Sequence, residues 1–420
     1  MRVFKFGGAS VNSAEAVKNM AEILRQQREH GPLTVVVSAM GKTTNALEEV
    51  ARLFFNEKDY SGAFAKVKDY HSQIVAGLFP EEKHPFRQEF DLLFEELAGI
   101  LRKQPSLNFD FDYDQIVSYG EIISTKIVAA YLNEAGIKTR WVDIRKCLKT
   151  DNTYREAVVD WELSTNLVKK AFAPNSEQIL LTQGFIGSTI NNLTTTLGRE
   201  GSDYTAAILA YILDAESVTI WKDVPGVLNA DPKWFDNCVR LDQLSYLDAI
   251  ELAYYGATVI HPKTIKPLQN KNIRLHVKSF LNPKDPGTII GDVSYESLTP
   301  SFIFKMDQVL IHISPLDFSF IAEDKLRTIF GYFSKHGMKI NLMQNSAVSF
   351  QVCVNNDQTR IPNLLNDLRQ DFKVSFDTGL ELITIRYYDD STIKRVLVNK
   401  DLILEQRSKR TIQMVVKDLG

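Results

Sequence analysis

The chain is poor in what secreted, metal-stapled and membrane-spanning proteins rely on. It has 3 cysteines in 420 residues (Cys147, Cys238 and Cys353), far apart and without a C-x-x-C pair. That spacing argues against a zinc site or a disulfide framework; it favours a reducing compartment, the cytoplasm, with the thiols as packing residues. No apolar run approaches the roughly 20 residues that a membrane-spanning helix needs. The N-terminus enters a strand pattern at once, without the basic region and apolar core of a signal peptide. An excess of one charge is lacking too. The 49 Lys and Arg against 52 Asp and Glu leave a formal charge of −3, which gives no reason to expect nucleic acid or a membrane as partner.

What is present is alternation, in a chain long enough for two or three domains. Residues 3–6 read as a strand and 14–28 as a helix. The β-branched run 33–39 suits a strand buried on both faces, and a helix follows from about Asn45. Residues 60–104 are charged and helical, an insertion. A long helix is expected over 113–134, a strand over 178–184, a helix over 202–214 and a strand over 217–221. Strands alternating with helices imply a mostly parallel sheet covered on both sides, a three-layer α/β/α domain over 1–295. The polar, Pro- and Gly-containing stretch from Asn282 is a boundary. Beyond it, residues 302–420 read as β-α-β-β-α-β with a shorter β-α-β-β echo from Leu380, a ferredoxin-like α+β region of two modules. The second module lacks its last helix.

Ligands of parallel sheets bind beyond the carboxyl ends of strands, where loops enter helices. Four unusual stretches fall there. In Lys5-Phe6-Gly7-Gly8-Ala9-Ser10, the glycines can aim successive amides into an anion nest with Lys5 beside it; an ordinary Gly-Gly turn is equally compatible. Ser38 to Asn45 contains Gly41-Lys42-Thr43, but a P-loop needs glycine where Val36 stands. A hydroxyl-rich loop remains, either capping a helix or touching substrate through Thr44. Gly120 in Ser118-Tyr119-Gly120-Glu121 sits inside a helical pattern at a cost of roughly 1 kcal/mol, which marks a close approach. Glu121 either receives an ammonium or is an exposed helix-face residue. Thr194 to Ala207 runs a glycine-rich loop into an apolar helix. Ser202 or Asp203 can cap that helix, and Arg199 offers a planar fork for a carboxylate or phosphate. A plain capped helix needs neither two glycines nor an arginine ahead of it. Downstream, Ile220 to Lys233 is a Pro-Gly turn among acids and lysines, either a nucleotide loop or a surface connection.

Taken in order, these stretches resemble the aspartate kinases of the amino acid kinase superfamily, together with Thr182-Gln183-Gly184-Phe185, Tyr255-Gly256-Ala257 and His261-Pro262. The resemblance implies transfer of the γ-phosphoryl group of ATP to the side-chain carboxylate of L-aspartate, the entry to lysine, threonine and methionine synthesis. It implies that Lys5, Arg199 and Asp203 act in catalysis, and that Thr44, Glu121, Arg199 and Ser202 bind aspartate. ATP would be held by Lys5, Gly7, Gly8, Ser10, Lys222, Asp223, Leu228, Lys233, Thr258 and Lys263. Mg2+ would arrive with the nucleotide, its protein ligands unassigned. The tail is similar to a pair of ACT regulatory modules, which implies a homodimer or higher oligomer and feedback by lysine or threonine near Gln344, Asn345 and Ser346. Ala9, Lys222, Leu228 and Thr258 depart from the residues common in the family, and Lys222 or Lys263 is expected to supply the charge missing at Thr258. Kinases of acetylglutamate, glutamate or carbamate, and a non-catalytic amino-acid sensor, are the alternatives. The length leaves no room for a fused homoserine dehydrogenase.

Overall fold

The computed structural model describes residues 1–27, 31–173, 178–235, 237–257, 260–294, 299–317 and 319–420. The chain divides into two compact units, one of Met1–Val227, Arg240–Ile250 and Val259–Ser294, the other of Leu228–Val239, Glu251–Thr258 and Tyr295–Gly420.

The first unit carries strands β1 (Arg2–Phe6), β2 (Leu33–Val37), β3 (Thr139–Val142), β4 (Ile179–Gln183), β5 (Ile186–Ser188), β6 (Thr194–Thr196), β7 (Ser217–Lys222), β8 (Gln243–Ser245), β9 (Arg274–Ser279) and β10 (Thr288–Gly291). An 8-stranded sheet runs in the order β3-β4-β2-β1-β7-β9-β10-β8, while β5 and β6 form a separate antiparallel ribbon. All neighbours in the large sheet are parallel except β9 and β10. Both β2 and β4 are buried at every position, which is why their apolar runs show no alternation. Because β1, β2, β4 and β7 point the same way, Phe6, Val37, Gln183 and Lys222 end at one edge. The loops that follow them share that edge.

Helices α1 (Ala14–Gln27), α2 (Thr43–Phe55), α3 (Ser61–Leu78), α4 (Pro85–Leu101), α5 (Phe109–Val117), α6 (Tyr119–Glu134), α7 (Trp161–Ala171), α8 (Gly201–Ile212), α9 (Tyr246–Tyr255) and α10 (Pro262–Asn270) complete this part of the chain. The charged insertion is the pair α3 and α4. The long helix expected over 113–134 is instead two. Asn108 caps α5 by accepting from the amides of Asp110 and Phe111, so the helix starts before Tyr113. The two helices meet at Ser118, whose amide donates to the Asp114 carbonyl at a long 3.4 Å and whose hydroxyl turns back to the carbonyl of Gln115. Residue 28, placed at the end of the first expected helix, lies outside the described residues. Helix α8 is almost wholly buried, with Ala206, Ala207, Ile208, Leu209 and Ala210 at 0 % exposure, and packs over β1, β2 and β7.

The second unit holds β11 (Ser301–Pro315), α11 (Glu323–Lys335), β12 (Ile340–Asn345), β13 (Phe350–Asn355), α12 (Ile361–Asp371), β14 (Phe372–Arg386), α13 (Asp390–Val396), β15 (Lys400–Arg407) and β16 (Thr411–Asp418). Its 6-stranded antiparallel sheet has the order β12-β13-β11-β14-β16-β15. The two central strands are 15 residues long each and serve two modules in turn. The later half of β11 and the start of β14 close the first β-α-β-β-α-β module. The later half of β14 begins the second, and the start of β11 lies beside it with Phe302 opposite Ile385. The shortened second module therefore obtains its fourth strand from residues that precede the first. Its missing helix is replaced as well. Ala230, Phe235 and Cys238 pack into one apolar cluster with Phe302, Ile383, Ile385, Ile393, Ile412 and Met414. This is why 228–239, assigned to the first domain by sequence, joins the second unit.

Candidate active site

A cleft of about 840 Å³ opens in the first unit at the carboxyl edge of the sheet. Lys5, Gly8, Thr44, Glu121, Arg199, Ser202, Asp203 and Lys222 all line it. They come from different loops and helices, and the parallel sheet brings them together.

Lys5, the second-to-last residue of β1 before the glycines, is 8 % exposed. Its Nζ lies 2.6 Å from Oδ1 of Asp203 in the first turn of α8, and Nζ of Lys222 lies 3.9 Å from the other oxygen, Oδ2. The Lys5 contact is ionic, off the direction of a well-formed hydrogen bond to Oδ1. Glycines 7 and 8 do not form the anticipated nest, since neither adopts left-handed backbone. They provide closeness. A Cβ on Gly8 would come within 2.6 Å of the Gly41 carbonyl and 2.9 Å of that of Ala39, and the Gly8 carbonyl accepts from the amide of Gly41 at 3.0 Å. Two substrate-edge loops can thus lie against each other.

Glu121 is 2 % exposed in the first turn of α6. Oε1 accepts from the amide of Ala39 at 3.2 Å, while Oε2 is buried with no hydrogen-bond partner. Burial pushes its carboxyl up to about 8. Gly120 beside it admits the second loop, because a Cβ there would meet Ala39 at 3.1 Å and Thr43 at 3.4 Å. A buried carboxyl with one unpartnered oxygen facing a polar cleft is suited to an ammonium.

Neither Ser202 nor Asp203 caps α8. The N-cap is Glu200, in left-handed backbone at φ 54° and without a side-chain cap. The amides of Gly201 and Asp203 are taken by the carbonyls of Gly198 and Glu200. Asp203 is the third helical residue, inside the N-cap position, and its carboxylate faces Lys5, so the anion site at this turn rests on the Arg199 side chain more than on the helix end.

Other expected residues lie elsewhere. The Ser10 hydroxyl, buried, donates to the Trp221 carbonyl at 3.3 Å. Gly7 borders Lys5, whose Nζ would lie 3.3 Å from a Cβ there. Asp223 is exposed, and Leu228 and Lys233 belong to the second unit. Thr258 lies outside the described residues. Lys263 faces away from the cleft: α10 carries it, with Lys266, to a separate hollow of about 620 Å³ bordered by Trp161, Tyr204 and Tyr211. In the second unit Gln344 and Asn345 are exposed at the end of the edge strand β12, and Ser346 closes a turn with Ser349 at 2.6 Å. The sequence reading missed Tyr113, Tyr154, Arg155 and Glu156, which also line the cleft. Tyr113 sits in an expected helix with nothing to single it out, and the segment of the other three has no glycine, no motif spacing and no periodicity, so nothing in the sequence flags them.

No group of three or more His, Cys, Asp or Glu side chains able to hold a metal ion occurs among the described residues. No helix among them is long and apolar enough to cross a membrane.

Residues 1–279 match the model of the amino acid kinase family. The chain is 30% identical over 403 residues to lysine-sensitive aspartokinase 3 of Escherichia coli K12, covering 91% of this chain and 86% of that protein. It is 30% identical over 392 residues to a chloroplastic bifunctional aspartokinase/homoserine dehydrogenase 2 of Arabidopsis thaliana, of whose length it spans 42%. The fold superposes on E. coli aspartokinase III in complex with aspartate and ADP (R-state), with a TM-score of 0.82, 27% identity and coverage of 99% of this chain and 96% of the other. The shared fold extends over 99% of the chain, and the chain belongs to the amino acid kinase family, among its aspartokinases.

Proposed function

We propose that the chain is an aspartate kinase, transferring the γ-phosphoryl group of ATP to the side-chain carboxylate of L-aspartate to form 4-phospho-L-aspartate. The observation that carries this reading is that Lys5 and Arg199, from distant parts of the sequence, line one cleft opposite Glu121. The nucleophile is a carboxylate, ionised at neutral pH, so no general base is required. The barrier is the approach of an anion to a polyanion, and the protein's task is alignment and charge neutralisation. Arg199 takes the α-carboxylate of aspartate by its planar fork, and Glu121 takes the ammonium through the oxygen that has no partner. Thr44 and Ser202 border the same substrate. Lys5, held by Asp203, lies at the end of β1 where it neutralises the moving phosphoryl group. Lys222, near Asp203, adds the second positive charge on the phosphates, a role for which Lys263 is misplaced. Magnesium enters with ATP, since Mg2+ binds through one or two carboxylates plus substrate phosphates and keeps several waters. Asp203 is the cleft acid that fits it, and the ion would supply further charge neutralisation.

The second unit serves regulation in this proposal. The E. coli relative is lysine-sensitive, and an amino acid, lysine or threonine, would bind near Gln344, Asn345 and Ser346 on an exposed edge strand suited to pairing of subunits. The test is a hydroxamate assay with ATP and magnesium. Hydroxamate formed with aspartate and absent with glutamate or acetylglutamate supports the reading, while absence with aspartate sinks it. Flat activity curves with lysine and threonine, singly and together, refute the regulatory part.

A further inference from the structure

Three residues that line the cleft stand in left-handed backbone without being glycine: Arg155 (φ 67°), Phe185 (φ 66°) and Glu200 (φ 54°). Such backbone is strained for an L side chain and persists only where the surroundings over-determine it, a pattern that gathers at functional sites. For Arg155 those surroundings can be named. Its amide donates to Oδ2 of Asp114 at 3.0 Å. Asp114, 0 % exposed, also accepts from the amide of Thr196 at 2.8 Å and from its hydroxyl at 2.7 Å. One buried carboxylate thereby ties the 153–156 segment to β6, the strand that leads into Gly198 and Arg199.

On its other side the segment meets that turn directly. A Cβ on Gly198 would come within 3.2 Å of the Arg155 carbonyl and 3.3 Å of the Glu156 side chain, so bare backbone passes backbone next to Arg199. The Arg155 side chain completes the hold. Its guanidinium lies 4.3 Å from the ring centre of Tyr113 and 5.7 Å from that of Phe109, with nitrogens 3.4 Å from Glu48 and 3.4 Å from Asp110. These partners belong to α5 and α2, across the segment from Gly198.

We propose that Arg155 is a positioning residue for the acceptor substrate: it clasps the 153–156 segment onto α5 and α2 and so holds the Gly198–Arg199 turn where the substrate carboxylate is received. The inference rests on the aspartate kinase reading. Thr153, Tyr154, Arg155 and Glu156 all line the cleft, so releasing the clasp loosens one wall of it.

The strain makes the test sharp. Arg155→Gly relieves the left-handed backbone and deletes the clasp, whereas a residue kept for stability alone would show loss of stability first. The expected result is an unfolding midpoint no lower than wild type, an aspartate KM raised about tenfold, and an ATP KM within about twofold, a split that marks lost substrate positioning. Arg155→Lys, which keeps the charge and loses the planar stacking fork, falls between the two. A second readout needs no turnover: amide hydrogen exchange over 153–156 is faster in Arg155→Gly than in wild type. An unchanged aspartate KM, a lowered midpoint with both KM values raised together, or unchanged exchange each overturns the clasp. A wild type inactive on aspartate overturns the kinase reading instead, and the exchange comparison still decides the clasp.

Discussion

Burial holds the Glu121 carboxyl protonated up to about pH 8, and that has two consequences at the scale of a single residue. Between the ordinary value of 4.5 and 8 the folded chain keeps a proton that the unfolded chain has released. The fold therefore loses stability as pH rises through that window. Glu121→Gln, neutral throughout, removes this contribution, so the stability gap between variant and wild type should widen from pH 5 to pH 8 in urea melts. An ammonium on Oε2 would drive the proton off. Aspartate binding at pH 7 should then release up to one proton, read by calorimetry in buffers of different ionisation enthalpy, and Glu121→Gln should abolish the release. Lys5 and Asp203 form the second residue-scale test. Lys5→Met removes one member of a buried pair and should cost up to about 3 kcal/mol of stability, softened by Lys222 nearby. It should also lower kcat by about 10²–10³, the cost of losing a preorganised charge at the reacting group. Adding Asp203→Asn should return much of the stability and none of the activity. A double variant that regained activity would remove Lys5 from the chemistry.

At the scale of elements, the helical insertion holds the substrate loop. From α3, the Tyr70 hydroxyl donates to the Asn12 carbonyl at 2.7 Å and would lie only 2.5 Å from a Cβ on Gly41. His71, fully buried, places Nε2 3.3 Å from the Thr43 hydroxyl and Nδ1 2.7 Å from the Val67 carbonyl. Burial lowers its pKa to about 4, so the imidazole is neutral in the fold. The unfolded chain takes up a proton below 6.5 that the folded chain refuses until about 4, and stability is lost as pH falls through that window. Asp114, raised to about 6 by burial, acts in the opposite sense between 3.8 and 6. The comparison must therefore be between variants. His71→Gln should lose less stability than wild type between pH 6.5 and 4.5 in thermal melts, and should raise the aspartate KM by freeing the Thr43–Thr44 turn. Equal acid sensitivity in the two proteins would rule out the histidine as its source.

At the scale of the whole molecule, the second unit depends on segments that interrupt the first. Phe235 stacks on Phe302 with ring centres 4.8 Å apart and lies 4.7 Å from the Arg395 guanidinium. It packs beside α13 on the face of the second module that lacks its other helix. Phe235→Ala should destabilise this unit by about 2–3 kcal/mol, below the range for a fully buried phenylalanine because the ring is only partly enclosed. Urea melts followed at the neighbouring Trp234 measure it. A chain ending at residue 294 should misfold or aggregate, since Ala230, Phe235 and Cys238 would lose the sheet they pack on.

The local sequence was enough for whatever depends on near neighbours along the chain. The β-branched run of β2 could only be a doubly covered strand, and 323–335 shows its helical period with acids first and a lysine last. The glycines, lysine, glutamate and arginine of the cleft were visible because each sits in a loop whose composition is unusual for a simple turn. Tertiary structure alone decided the rest. Gly8 works by close approach to another loop, Asp203 lies inside its helix and pairs with Lys5, and Lys263 borders a hollow separate from the cleft. Arg155 occupies a backbone conformation that its residue type disfavours. The helix-poor second module finds its cover in residues 228–239, some 150 positions before its own helix α13. Each of these outcomes depends on partners far off in sequence, and a local pattern carries no record of which distant surface arrives.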